Sequence, residues 1–291
     1  MTRNVVKALA VELTKAESDR VSTRGTRNAE AYDTFLKGWE HYQRQTPAEF
    51  RAAIVDFKRS AELDPNYGRA YAALAAISWE SFTRFWGQSV QLGPRNEDSL
   101  YVAEQYLAKA MREPTPLAHQ VASAMQLQAQ QHDEALAEAK RSIESDPNDA
   151  NGYIALAGAL SFSGRPDEAL AAVDRAMRLN PHYPSSYLYQ RGLAQFAANR
   201  ADEAAVSLQQ AIAMNPDDYW SQRLLLAVYG QVGRDADARR LYAAMQSKDR
   251  RGQWAFMDPL TIKAVTYWYP FTKPGDAQRF SASLAKAGVP E

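Results

Sequence analysis

The sequence predicts an all-α protein built from stacked antiparallel helix pairs, and three observations lead to this fold class. A helix-forming run ends in Asp or Asn followed by Pro at four places along the chain. The prolines of these stops recur at intervals close to 34 residues over much of the sequence. The helix before each stop carries small or apolar residues at the same spacing every time.

The four helix stops read RSAELDPNY, RSIESDPND, RAMRLNPHYP and QAIAMNPDD. Proline has no N–H to donate, and it disfavours the α conformation in the residue before it. Asp64, Asp146, Asn180 and Asn215 are therefore predicted to end helices.

The spacing of the prolines indicates an internal repeat. Pro114 to Pro147 is 33 residues, Pro147 to Pro181 is 34, and Pro181 to Pro216 is 35. A fixed period of this length is the signature of a repeat architecture, in which each unit stacks on its neighbours.

A trio of residues precedes each stop and marks the second helix of a unit. Ala169, Val173 and Ala176 precede the stop at Asn180, and their steps of four and three place them on one helix face. The matching trios are Ala53, Phe57 and Ser60; Ala135, Ala139 and Ser142; and Ala204, Leu208 and Ala211. Small residues at these positions let two helix backbones approach closely.

Another helix is predicted ahead of each trio, separated from it by a turn. Gly164 and Gly233 fall at the end of this first helix, where a left-handed residue is favoured. Asp167 and Asp237 follow near the start of the second helix, where negative charge suits the free N–H groups.

This pattern resembles the tetratricopeptide repeat, a helix pair that stacks into a right-handed superhelix. The unit that matches best carries Tyr153, Leu156, Ala157, Leu160, Gly164, Ala169, Val173, Ala176 and Pro181. The resemblance implies an all-α, right-handed superhelix, an α-solenoid of antiparallel helix pairs. About six units are expected over residues 30–249, with an insertion near 80–99 because Pro65 and Pro114 lie 49 residues apart. An N-terminal amphipathic helix and linker is expected over 1–29, and a capping segment with a helix over 250–291.

Composition excludes several classes of function. Lys plus Arg equals Asp plus Glu at 34 each, so no global field favours nucleic acid or an anionic membrane. There is no Cys, which excludes disulfides, thiolate metal sites and Cys nucleophiles. No apolar run approaches membrane-spanning length. The expected location is the cytoplasm, and the extracytoplasmic side of a membrane-anchored parent protein is the alternative.

Catalysis by this chain alone is not predicted. His41, His119, His132 and His182 show no metal-ligand spacing, and the sequence contains no GxSxG, phosphate-binding GxxxxGK[ST] or HExxH motif. The recurring acidic pairs fall at helix starts in each unit, which is typical of helix-dipole stabilisation and not of an acid/base dyad. No catalytic residue, cofactor or metal site is therefore assigned.

A protein-binding groove is the predicted functional site, because stacked helix pairs leave a concave surface lined by their first helices. The residues assigned to this groove are Trp39, Tyr42, Trp79, Phe162, Tyr189, Phe196 and Arg223. Aromatic side chains dominate binding hot spots, so the lining suits a protein or peptide partner. The alternative is self-packing, with Phe82, Phe85 and Trp86 of the insertion, or the N-terminal helix, folded into the groove. The tail WAFMDPLTIKAVTYWYPF leaves the same two alternatives, and an end cap is favoured for it.

The two ends of the chain resemble the tetratricopeptide region of bacterial class III adenylate/guanylate cyclases. The matching residues at the start are Glu12 to Thr14, Glu17, Thr26, Asn28, Ala31 to Asp33, and Leu36 to Gly38. Those at the end are Phe271, Phe280, Leu284, Lys286, Ala287, Gly288 and Pro290. The resemblance implies that a cyclase domain, if there is one, lies outside these residues, and that the repeats serve as an interaction or regulatory module.

The expected function is therefore a protein-interaction or regulatory module that belongs to, or derives from, a cyclase-type signalling protein. Its partner would be a protein, a peptide or another domain of the same protein, without nucleic acid or direct membrane contact, and oligomers are compatible with the fold. The alternative is a free-standing scaffold that binds an apolar peptide in its groove.

Overall fold

The computed structural model describes residues 25–250 and 260–291 of the chain. Throughout these residues the regular secondary structure is α-helical, which confirms the predicted fold class. The amphipathic helix predicted within 1–29 has its apolar stripe outside the described residues. In the part of the chain that is described, no helix combines the length and the apolar character that crossing a bilayer would require.

Within the described residues, twelve helices form six consecutive pairs, and two more follow. The first helices of the pairs are α1 (Ala29–Gln43), α3 (Gly68–Thr83), α5 (Pro116–Gln128), α7 (Ala150–Phe162), α9 (Ser185–Ala197) and α11 (Tyr219–Gln231). The second helices are α2 (Pro47–Leu63), α4 (Asn96–Ala110), α6 (His132–Ser145), α8 (Pro166–Leu179), α10 (Ala201–Met214) and α12 (Asp235–Arg250). The last two are α13 (Ile262–Thr266) and α14 (Pro274–Lys286). Each pair packs on the next, so the fold is a helical solenoid.

The predicted helix stops lie where the sequence places them. Asp64, Asp146, Asn180 and Asn215 are the C-cap residues of α2, α6, α8 and α10. Three of these side chains also close the turn that follows, accepting a hydrogen bond from the backbone N–H two residues later at 3.0 to 3.1 Å. An Asp or Asn before the proline thus ends the helix and shapes the connection to the next unit.

The turns inside the pairs use a left-handed residue even where glycine is missing. Gly164 and Gly233 have φ values of +69° and +71°, as predicted. Gln45, Gln130 and Asn199 take the same place after α1, α5 and α9, with φ between +52° and +60°. The pair geometry therefore imposes the left-handed turn on residues that seldom adopt it.

The two helices of each pair cross at short distance, and the residues at the crossing are buried. All twelve residues of the predicted trios have no solvent exposure, which confirms the register of the repeats. A Cβ at Gly38 would lie 2.8 Å from the Phe57 ring, and one at Gly192 would lie 2.7 Å from the Leu208 side chain. The larger residue of the trio thus fills the space that the small residue opposite leaves.

The insertion forms the long connection between α3 and α4 and packs back on the solenoid. Trp86 lies edge-on against Phe50 of α2 with ring centroids 5.6 Å apart, and Val90 is buried beside them. Phe85 points elsewhere, toward Trp268 near the C-terminus. The insertion therefore packs on the solenoid, although the ring contact of Trp86 is with the second helix α2 and not with the first helices that line the predicted groove.

The residues that lead into α1 are tied to the first helix stop. The Thr26 hydroxyl donates to the Asp64 carboxylate. The Asn28 side-chain amide donates to the Leu63 carbonyl at 2.9 Å, and its oxygen caps α1 by accepting from the Ala31 N–H at 3.1 Å. Thr26 and Asn28 thus fix the chain against the end of α2 before the repeats begin.

The C-terminal segment, defined here as residues 260–291, packs on α11, the first helix of the last pair. Helix α14 packs on α11, and a Cβ at Gly230 would lie 1.9 Å from the Ser283 carbonyl oxygen. The backbone N–H of Ile262 donates to the Pro290 carbonyl at 2.7 Å, which closes the segment on itself. The division of the whole chain into an N-terminal part, six units and a cap stays a prediction.

Overpacking the crossing of α7 and α8 should destabilise the protein. Ala169 has no exposure, so Ala169→Phe is expected to lower the free energy of unfolding by about 1 to 3 kcal/mol. Ala171→Phe, on the exposed face of the same helix, is the control and should change it by less than about 0.5 kcal/mol. The measurement is the urea denaturation midpoint, and equal midpoints for Ala169→Phe and the parent would contradict the register.

Separating α14 from α11 should destabilise the cap. Gly230→Ala forces the Ser283 backbone to move, and a loss of about 1 to 3 kcal/mol in the free energy of unfolding is expected. Gly275→Ala is the matched control, because nothing lies within 4 Å of its added methyl group. If thermal denaturation gives the same midpoint for both variants, the close contact between the two helices is wrong.

Candidate functional site

The first helices of the six pairs lie side by side and form one surface, called here the inner face. Each of α1, α3, α5, α7 and α9 contacts the first helix of the next pair. The groove residues predicted from the sequence all lie on these helices. The structure divides them into two groups, one near each end of the surface.

Trp39, Tyr42 and Trp79 lie in the half of the inner face formed by α1 and α3. All three side chains are partly buried. Trp39 contacts the Tyr42 ring at 5.0 Å between centroids, and the Tyr42 hydroxyl donates to the Glu80 carboxylate. Burial, followed by the charge of Glu80, raises the pKa of Tyr42 well above its usual value, so this hydroxyl stays a hydrogen-bond donor. Parts of these aromatic surfaces remain accessible.

Phe162 and Phe196 lie in the other half of the inner face, beneath the C-terminal segment. Phe196 has no exposure and Phe162 has 8%. Phe271 of the segment packs edge-on against Phe162 at 5.1 Å and also contacts Phe196 at 6.2 Å. Phe280 of α14 packs against Phe196 at 5.7 Å. Both predicted groove residues are thus covered by the chain's own C-terminus.

Trp268 joins the two ends of the inner face. Its ring lies 5.3 Å from Phe82 and 5.9 Å from Phe85, on and just after α3. It also lies 5.7 Å from Trp220 on α11. A single side chain of the C-terminal segment therefore contacts residues of the second pair and of the sixth.

Tyr189 and Arg223 belong to the same buried cluster. Arg223 has no exposure, and its guanidinium lies 4.2 Å from the centre of the Tyr219 ring. Burial raises the pKa of Tyr189 and of Tyr269 well above the usual value, and the two hydroxyls lie next to each other. The Tyr269 hydroxyl also donates to the Trp220 carbonyl at 3.4 Å. A neutral tyrosine pair and a stacked guanidinium suit this water-poor site.

Side chains of the solenoid hydrogen-bond the backbone of the C-terminal segment. Gln128 Nε2 donates to the Tyr267 carbonyl at 3.1 Å, and His132 Nε2 lies 2.6 Å from the Pro270 carbonyl. These bonds connect residues 139 and 138 positions apart in the sequence. Gln128 and His132 therefore act on this stretch in the way that groove residues act on a peptide backbone.

The segment in turn caps helices of the solenoid. Thr272 donates to the Phe162 carbonyl through its N–H at 2.9 Å and its hydroxyl at 3.0 Å. Lys273 Nζ donates to the Gly164 carbonyl at 2.8 Å, and Arg279 donates to the Phe196 carbonyl at 3.1 Å. Cations at the carbonyl ends of α7 and α9 are favoured by the helix dipole and by the unpaired carbonyls there.

Sequence reasoning did not assign the segment's own residues to the groove. The aromatic run Tyr267, Trp268, Tyr269, Pro270 and Phe271 was the signal that could have identified them. Gln128 and His132 gave no signal, because a polar residue at the end or start of a helix is ordinary. The groove assignment of the seven predicted residues stays a prediction.

Three of the four histidines, His41, His119 and His132, make polar contacts with other parts of the described residues. His119 is buried in α5, and its Nδ1 lies 2.6 Å from the Glu138 carboxylate of α6. His41 makes a similar contact with Glu49 at 2.6 Å. Among residues 25–250 and 260–291, no three His, Asp or Glu side chains are grouped so that they could hold a metal ion.

Comparison with known proteins identifies the repeats. Two family models of the tetratricopeptide repeat match residues 126–189 and 185–218. These ranges contain α7 to α10, where the helix stops and the trios are most regular. A protein of this repeat type is an interaction module, and its architecture is that of a non-catalytic repeat protein.

A curated relative gives a second similarity. The protein named "Putative adenylate cyclase 3" from Rhizobium meliloti (strain 1021) is 34% identical over 91 residues, which are 30% of this chain and 15% of that protein. The match therefore spans only a small part of the relative's length.

Two solved bacterial structures are similar in fold. TTC0263, a thermophilic tetratricopeptide-repeat protein of Thermus thermophilus, is 24% identical and covers 62% of this chain and 97% of its own, with a TM-score of 0.48. PilF of Pseudomonas aeruginosa is 16% identical and covers 77% of this chain and 92% of its own, also with a TM-score of 0.48. Likeness at this level carries no argument about function.

The helix pairs, their Asp-Pro and Asn-Pro stops and the two matching family models agree. Residues 126–218 are tetratricopeptide repeats, and the chain resembles the repeat region associated with adenylate cyclases.

Proposed function

We propose that this chain is the interaction and regulatory module of an adenylate-cyclase-type signalling protein. The observation that carries the proposal is the inner face, which six neighbouring helices form and to which five of them contribute aromatic side chains. Such a surface offers binding chemistry, because aromatic anchors bury large areas at low entropic cost. We infer that the module binds a protein and does not itself catalyse a reaction.

The assignment to a cyclase system is supported by the curated relative and by the lead-in residues. The relative's name supplies the cyclase link over 91 residues. Thr26 and Asn28, which belong to the resemblance at the start of the chain, have a definite structural role in holding it against α2. Because Thr26 and Asn28 hold the start of α1 against α2, a domain placed before the repeats would have a fixed position relative to them.

The half of the inner face formed by α1 and α3 is the proposed contact surface for the partner. Trp39, Tyr42 and Trp79 are partly exposed there. The C-terminal segment occupies the other half and reaches α3 through the contact between Trp268 and Phe82. The partner is a protein or another domain of the same signalling protein. The proposed location is the cytoplasm, and the extracytoplasmic side of a membrane-anchored parent is the alternative that the resemblance leaves open.

A second candidate is a free-standing scaffold that binds an apolar peptide in the groove. It is favoured by the same exposed aromatic surfaces, which need no cyclase domain to be useful. The two candidates differ in one property, since only the first predicts that binding changes the rate of cyclic AMP formation.

Binding to a cyclase catalytic domain tests the proposal. The purified chain, mixed with a class III cyclase domain encoded in the same genome, is expected to bind and to change the rate of cyclic AMP formation. Changing Trp39 and Trp79 together to Ala should weaken binding at least about tenfold, because both are aromatic anchors. Tyr101→Ala is the control, because this exposed tyrosine of α4 lies outside the inner face.

Calorimetry and a cyclic AMP assay give the two readouts. No binding at the highest soluble concentration of the chain would contradict the cyclase proposal. Binding that Tyr101→Ala weakens as much as the tryptophan changes do would contradict the proposed contact surface.

A further inference from the structure

The C-terminal segment meets the inner face through a non-helical stretch. Residues 267–273 lie between α13 and α14 and contain no helix. They contribute Trp268, Tyr269 and Phe271 to the buried cluster on α7, α9 and α11. Thr272 and its partner Phe162 are 110 residues apart along the chain, so local folding does not explain the position of the stretch.

Hydrogen bonds to the backbone hold this stretch, as is typical of a bound peptide. Gln128 and His132 bind the carbonyls of Tyr267 and Pro270, and the Phe162 carbonyl accepts from the Thr272 N–H at 2.9 Å. Such bonds hold the backbone of the stretch, whatever its side chains are. The backbone groups inside the helices are used by their own hydrogen bonds, so the solenoid contributes side chains and the free carbonyl at the end of α7.

The side chains of the stretch occupy separate places in the cluster. Phe271 lies between Phe162 and Phe196, and Trp268 lies between Phe82 and Trp220. Pro270, between Trp268 and Phe271, has no N–H that could be left unpaired, and it restricts the conformations of the unbound chain. An aromatic–proline–aromatic pattern thus matches the site in shape and in hydrogen bonding.

We infer that the half of the inner face formed by α5, α7, α9 and α11, together with Phe82 at the end of α3, is a binding site for an aromatic–proline–aromatic peptide, which this chain fills with its own residues 267–273. This inference rests on the proposed interaction function. It adds the chemical class of a ligand and the way in which access to the site is regulated. A partner that carries the same pattern competes with the segment.

Attachment to the same chain makes the segment a strong competitor. Nine residues, 251–259, separate it from α12. A ligand tethered through a short linker has an effective concentration on the order of millimolar. A free peptide of equal intrinsic affinity therefore gains access only above that concentration, or when the segment is weakened or cut from the chain.

Cutting the tether in the folded protein tests the inference. A protease site is inserted between residues 251 and 259, the intact folded protein is cut, and a labelled peptide of residues 260–291 is added in excess. The cut protein is expected to exchange its own fragment for the labelled one, as fluorescence anisotropy reports. The uncut protein should take up at least about tenfold less label, because the tethered segment holds the site.

Variant peptides identify which residues the site reads. The Phe271→Ala peptide should bind at least about tenfold more weakly than the parent peptide. The Tyr267→Ala peptide is the control and should bind like the parent, because that side chain is 59% exposed. An unlabelled peptide of residues 264–273 should compete with the labelled one.

Several results would overturn the inference. They are loss of helical circular dichroism on cutting, retention of the original fragment without exchange, and equal binding of the Phe271→Ala and Tyr267→Ala peptides. If the peptide of residues 264–273 does not compete, the site binds α14 and not the aromatic–proline stretch, which would also overturn the inference. The experiment contains no cyclase, so its failure is distinguishable from failure of the proposed function.

Discussion

Close approach of two helix backbones at alanine, glycine and serine is the interaction on which this structure depends. The twelve residues of the four trios have no exposure, and glycines such as Gly38 and Gly192 face the larger residue of the opposite helix with no room for a methyl group. Dispersion forces and burial are strongest where no gap remains. Since one pair cannot cover its own apolar surface, each pair also has to pack on the next. The inner face is a direct consequence, because stacking brings the first helices of all pairs side by side.

The two halves of that face differ in what covers them. Over α7, α9 and α11 the C-terminal segment supplies Tyr269, Phe271 and Phe280, which remove the aromatic lining from water. Over α1 and α3 the aromatic side chains pack mainly on one another and stay partly exposed. The segment also connects distant units, since Trp268 contacts both the insertion and α11. In the proposed function, the partly exposed half receives a partner, while the occupancy of the other half depends on the protein's own C-terminus.

The sequence was sufficient for the features that repeat and insufficient for those that occur once. Helix ends, trio positions and the glycine turns depend on residues within one unit, and they recur often enough to be recognised; Asn180 and Gly164 are where the pattern places them. The left-handed turns at Gln45 and Gln130 were missed, because their conformation is imposed by the pair and not by the residue. The contact between His132 and Pro270 was missed for a different reason. It joins two single positions that are separated by three complete helix pairs, and no periodic signal specifies such a pairing.

The seating of residues 267–273 on the inner face is the central claim about function, because it decides which part of the groove is free. Hydrogen exchange of the intact protein, followed by mass spectrometry, measures it directly. The account predicts that the Thr272 amide, bonded to the Phe162 carbonyl at 2.9 Å, exchanges as slowly as the helical amides at the end of α7. Exchange of residues 267–273 at the rate of a free peptide, with α7 and α9 still protected, would contradict it.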